Sequence, residues 1–121
     1  MNTKIILIID DDIDVLESVA ELVELLGYGV LVAESGEKSL DLYGNHSDEI
    51  SGVLLDLTLP GMSGEEIYNY FYDKDPELPI IMTSGYSSES VKEFVGIASQ
   101  PRFLQKPYNI QQIKDVLAEA V

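Results

Sequence analysis

Five short apolar runs are spaced along the chain: Ile5 to Ile9, Val30 to Ala33, Val53 to Leu55, Pro79 to Met82 and Phe103 to Leu104. They are rich in Ile, Val and Leu and show no polar alternation, which is the pattern of strands covered on both faces. Between them the apolar period changes to that of a helix. Val15, Leu16, Val19, Leu22, Val23 and Leu26 share one helical face ahead of Gly27. Ser63 with Glu66 has the spacing of a capping box before Ile67, Tyr70 and Phe71, and Asn109 with Gln112 has it before Ile113, Val116, Leu117 and Ala120. Val91, Phe94, Val95 and Ala98 follow Ser87 and Ser88, and the weakest helical segment is Gly36 to Tyr43 after Ser35. Strands that alternate with helices predict an α/β fold with a doubly wound five-stranded parallel sheet, because a helical crossover joins parallel neighbours. At 121 residues, with no linker or repeat, one domain over 1–121 is expected.

The first run meets Asp10, Asp11 and Asp12, with Asp14 close behind. A buried carboxylate without a partner costs several kcal/mol or titrates to its neutral form, so a positive group belongs beside them. In sheets of this kind ligands bind beyond the carboxyl ends of the strands, where the strand order reverses. At those ends stand Asp10 and Asp11, then Asp56 after the third run, Ser84 after the fourth and Lys106 after the fifth. The second run ends in Ala33-Glu34 and adds no comparable group. Taken singly, each has a structural reading: Asp12 as a helix cap, Asp56 as a turn residue before Pro60-Gly61, Lys106 as a surface cation, Ser84 as a turn hydroxyl. His46, in the segment GNHSDE, is expected to be an exposed loop residue without function.

Lys and Arg number 7 against 22 Asp and Glu, a formal charge of −15. That balance opposes nucleic acid and anionic lipid as partners. No apolar run approaches the length of a membrane span, and the start of the chain lacks the pattern of a cleavable signal. The absence of cysteine excludes disulfides, zinc-thiolate sites and thiol catalysis, and fits a reducing, cytoplasmic setting.

Along essentially its whole length the chain resembles the receiver domain of two-component response regulators. The matching pieces are the acidic pair Asp10-Asp11, the segment DLTLPGMSG that begins at Asp56, the Ser84-Gly85 step and the Lys106-Pro107 pair. The resemblance implies a flavodoxin-like sheet of order 2-1-3-4-5. It also implies that Asp10, Asp11 and Asp56 hold Mg²⁺ and that Asp56 accepts a phosphoryl group from the phosphohistidine of a sensor histidine kinase, or from a phosphotransfer protein. Lys106 and Ser84 would contact the phosphoryl oxygens, and Gly85 would leave room for them. Ser84 and Phe103 would act as switch residues that reshape the face formed by the fourth helix, fifth strand and fifth helix. It further implies a cis bond between Lys106 and Pro107, and a monomer or a weak dimer linked to phosphorylation. Such a domain is no enzyme beyond its own phosphorylation and dephosphorylation. The TSGY and FLQKPY segments are similar to receivers attached to hybrid histidine kinases.

Ile13 stands where many receivers have proline, and Thr58 and Tyr86 occupy positions that in this family modulate the lifetime of the phosphate. Three other readings compete. Asp10 and Asp12 have the D-x-D spacing of a haloacid dehalogenase phosphatase, although Ile13 replaces the expected glycine and no cap domain fits. A flavin carrier would want backbone N–H groups and hydroxyls where the first loop has carboxylates. A receiver-like module that binds partners without phosphorylation would not need the full set of acids, hydroxyl and lysine.

Overall fold

The computed structural model describes residues 3–57, 59, 61–84 and 102–121. The elements are β1 (Ile5–Ile9), α1 (Ile13–Leu25), β2 (Gly29–Ala33), α2 (Gly36–His46), β3 (Ile50–Asp56), α3 (Gly64–Lys74), β4 (Ile80–Ser84), β5 (Arg102–Gln105) and α4 (Ile110–Ala120). The expected helix around Val91 to Ala98, together with Thr58, Gly85 and Tyr86, lies outside the described residues. All strand pairs are parallel and the sheet order is β2-β1-β3-β4-β5. The reversal of order falls between β1 and β3, whose carboxyl ends carry Asp10 and Asp56.

Alternate residues of the central strands feed two cores, as the two-residue period of a strand requires. Ile6 and Ile8 pack with Leu16, Val19 and Val23 of α1 and with Ile113 and Leu117 of α4. Leu7 and Ile9 face the other way, into a core with Tyr43 of α2 and Ile67, Tyr68 and Phe71 of α3. Each sheet face is therefore covered by helices, which is why the strands read as unbroken apolar runs.

Helix starts follow the local chemistry. Asp12 caps α1 by accepting from the backbone N–H groups of Asp14 and Val15, at 3.1 and 3.3 Å. Ser35 caps α2, and Ser63 caps α3 through the Glu66 N–H at 3.1 Å. Asn109 and Gln112 form a reciprocal capping box on α4, both bonds 2.9 Å. His46 is the last residue of α2 rather than a loop residue. It is partly exposed, with its Nδ1 3.1 Å from Glu49 Oε2, and the helix runs on past Tyr43 to include it.

Candidate functional site

Backbone hydrogen bonds fix the strand ends to one another. The Asp10 N–H donates to Ala33 O (3.1 Å), the Leu57 N–H to Thr83 O (3.0 Å) and the Lys106 N–H to Ser84 O (2.7 Å). Asp56 pairs with Thr83 and Ser84 with Gln105 across the sheet, so the polar residues after four strands stand along one edge. Asp10 and Asp56 are only 4 % and 2 % exposed, and Ser84 is 1 % exposed. Asp11 is exposed beside them.

The positive group demanded by these carboxylates is Lys106. Its Nζ donates to Asp10 Oδ2 at 2.8 Å and to Asp56 Oδ2 at 3.2 Å. The bond between Lys106 and Pro107 is cis, as the resemblance implies. Asp10 also accepts from the Asp12 N–H through Oδ1, at 3.0 Å. Burial pushes the Asp10 carboxyl pKa up. The Lys106 and Asp12 hydrogen bonds oppose that rise, the Asp56 charge adds to it, and the net direction is upward. Burial acts to lower the Lys106 pKa, but hydrogen bonds and charges from Asp10 and Asp56 outweigh it, so the ammonium is held charged. Next to it the half-buried Tyr108 phenol is pushed up to about 12, chiefly by burial.

One carboxylate oxygen from each of Asp10, Asp11 and Asp56 lies within 4.8 Å of the others. These three acids against one ammonium leave two formal negative charges. Hard oxygen donors so grouped fit Mg²⁺, which is held by few carboxylates and keeps several waters. Phe103 is on β5, partly buried against the core that includes Met82 and Phe71.

Strand-end position brought Lys106 to the carboxylates, and sequence reasoning missed that it lies closer to Asp10 than to Asp56. Strand-end position does not say which of two neighbouring carboxylates a flexible lysine prefers. It also missed Gly64, buried at the start of α3, where an added Cβ would lie 2.6 Å from Leu57 Cδ2 and 2.8 Å from Leu57 Cα. The glycine in DLTLPGMSG was the available signal.

Sheet order and site together define a flavodoxin-like protein with a polar, acidic site in the crevice where the strand order reverses. Residues 6–118 match the family model of the response regulator receiver domain, and the chain belongs to that family. Over 116 residues it is 29% identical to a cyclic di-GMP phosphodiesterase of Thermotoga maritima, covering 96% of this chain and 30% of that protein. Over 108 residues it is 31% identical to response regulator MprA of Mycolicibacterium vanbaalenii, covering 89% of this chain and 46% of the relative. The chain thus spans less than half the length of these curated relatives. Among solved structures it is similar to response regulator TrrA of Thermotoga maritima in complex with Mg²⁺ and BeF, with TM-score 0.83, 25% identity, and coverage of 98% of this chain and 100% of that one.

Proposed function

We propose that residues 1–121 act as one phosphoacceptor receiver domain in which Asp56 takes up the phosphoryl group and Asp10, Asp11 and Asp56 hold Mg²⁺. The carrying observation is the Lys106 ammonium set between two buried carboxylates at 2.8 and 3.2 Å, with Asp11 completing the acidic group. When bound, Mg²⁺ supplies positive charge against the equatorial phosphoryl oxygens. Asp56 forms the new O–P bond through a carboxylate oxygen while the P–N bond of a phosphohistidine, or the P–O bond of acetyl phosphate, breaks and the leaving group takes the electron pair. Lys106 turns from the carboxylates to the incoming oxygens, and Ser84 donates a hydrogen bond to one of them. Water later hydrolyses the acyl phosphate. The chemistry of the domain is confined to this cycle.

A sensor histidine kinase or phosphotransfer protein is the donor we infer. A groove of about 570 Å³ between α1 and the turn after β5, lined by Val15, Val19, Leu22, Pro107 and Tyr108, opens beside Lys106 and gives such a protein an apolar surface next to the acceptor. The acidic balance of the chain argues against nucleic acid as its direct partner. Among the described residues no helix is long and apolar enough to cross a membrane, and the cytoplasm, where histidine kinases present their phosphohistidine, is the setting we propose. Phosphorylation then draws Ser84 inward and lets Phe103 repack, and the face formed by β5, α4 and the helix expected over Val91 to Ala98 passes the signal to a partner or a second copy.

Intact-mass measurement after incubation with Mg²⁺ and acetyl phosphate, followed by site mapping, tests this. One phosphoryl group on Asp56, absent in Asp56→Asn, is expected. Phosphate on Asp10 would instead establish the phosphatase chemistry. In the folded chain that carboxylate already accepts from the Asp12 N–H on one oxygen and from Lys106 on the other.

A further inference from the structure

We propose that Gly64 is a positioning residue for the acceptor: the lack of a side chain at the first residue of α3 sets where the backbone after Asp56 lies. The inference rests on reading Asp56 as the phosphoacceptor. Gly64 is not in the left-handed region reserved for glycine, and what it provides is space. A Cβ there would stand 2.6 Å from Leu57 Cδ2, 2.8 Å from Leu57 Cα and 3.0 Å from Leu57 O. The first contact could be relieved by turning the leucine side chain. The other two are with backbone, and the chain cannot yield there without moving Leu57 itself.

Leu57 is also held by the sheet. Its N–H donates to Thr83 O at 3.0 Å, and Thr83 is the β4 partner of Asp56. Helix α3 is equally constrained, because Ile67 and Phe71 are fully buried in the core and Ser63 caps its first turn. Leu57 is thus clamped between β4 and the start of α3, one residue from a carboxylate whose oxygen sits 3.2 Å from Lys106. A methyl group on Gly64 must push either the helix start or the Leu57 backbone, and the second displacement shifts Asp56 relative to Lys106, Asp10 and Asp11. Transfer between oriented groups is sensitive to such shifts, and a misplacement of about 1 Å can cost on the order of a hundredfold in rate.

The test compares Gly64→Ala with two controls. In Gly44→Ala, also helical, the added methyl meets nothing within 4 Å, and replacing a helix-interior glycine favours the fold. Val23→Ala opens a cavity in the other core, far along α1 from the site. Each variant is incubated with Mg²⁺ and acetyl phosphate, with the folded fraction followed by circular dichroism and the rate expressed per folded molecule. Gly64→Ala is also made in the Gly44→Ala background to offset its destabilisation. We expect the maximal rate on Asp56 to fall between about tenfold and a hundredfold, with a weakened Mg²⁺ titration, while both controls keep the wild-type rate. A folded Gly64→Ala chain that reacts at the wild-type rate, or is slowed no more than Val23→Ala, would overturn the positioning role. So would failure of the double variant to fold, which would make Gly64 a requirement of the fold alone. If the wild type itself takes no phosphate on Asp56, it is the acceptor assignment that fails.

Discussion

Lys106 stabilises the fold by neutralising two carboxylates that the strands bury whether or not a ligand is present. Removing one partner of a buried ion pair leaves the other uncompensated and costs about 3 to 5 kcal/mol where water is excluded. The Lys106 side chain is 25% exposed, so water enters and the cost is smaller. Lys106→Met should destabilise the metal-free chain by about 2 to 3 kcal/mol in urea titration, with Mg²⁺ restoring part of the loss. A change of less than about 0.5 kcal/mol would mean that the pair behaves as a surface salt bridge. Asp11 is expected to behave in the opposite way. It is exposed and adds to the repulsion around Asp10 and Asp56, so Asp11→Ala should raise the metal-free melting temperature slightly and flatten its rise with Mg²⁺, since a ligand specific for the native state stabilises by mass action. An unchanged magnesium-dependent melting shift in that variant would remove Asp11 from the cation site. Much of this was legible in the sequence, because a carboxylate at the end of an apolar strand needs a counter-charge wherever it occurs. The split of Lys106 between two acids was not legible, since differences of a few tenths of an ångström depend on the rotamer of a long side chain.

The elements place these residues, and their boundaries are set by caps whose strengths can be compared. Asp12 and Asn109 each cap a helix by accepting backbone N–H groups, an arrangement whose loss costs about 1 kcal/mol. Asn109→Ala also breaks the reciprocal Gln112 bond and removes no charge, so its melting temperature should fall by the full amount. Asp12→Ala loses a cap of the same kind but also takes one negative charge from beside Asp10 and Asp11, and the two effects oppose each other. The smaller fall should therefore belong to Asp12→Ala, most clearly at low salt. Equal falls in thermal melts at low and high salt would show that repulsion among the first-loop acids contributes nothing. Both caps could be read from residue type and spacing, as could the strand cores, because each is local. The exact ends were less legible: β3 runs from Ile50 to Asp56 where apolarity alone marks Val53 to Leu55. There Gly52 pairs with Ile6 of β1 without offering an apolar side chain, and Ser51 falls where the register shifts between Ile5 and Ile6. The approach of Gly64 to Leu57 escaped for a related reason, as it depends on how α3 docks onto the sheet.

For the molecule as a whole the controlling quantity is its charge of −15. From Ile5 to Glu37 there is no lysine or arginine, and this stretch contains β1, α1 and β2, the elements around the first acidic loop. A small phosphodonor such as acetyl phosphate is itself an anion, so it approaches against the field of the whole surface. The site alone does not impose this barrier. Three carboxylates, one ammonium and one bound Mg²⁺ come to formal neutrality, which leaves the more distant acids as the source of repulsion. Such long-range repulsion is screened by salt, with a Debye length of about 30 Å at 0.01 M and about 8 Å at 0.15 M. With Mg²⁺ saturating at every point, phosphorylation of Asp56 by acetyl phosphate should accelerate as ionic strength rises across that range, whereas neutral surfaces give rates nearly independent of salt. Because the Mg²⁺ affinity itself weakens with salt, saturation must be checked separately at the highest ionic strength. Replacing Glu17 and Glu21, exposed on α1, by glutamine should raise the low-salt rate and flatten its salt dependence without moving the high-salt rate. A rate that stays constant or falls with salt at saturating Mg²⁺ would show that the donor senses only the neutralised site, and that the acidity of the rest of the surface has no part in its encounter.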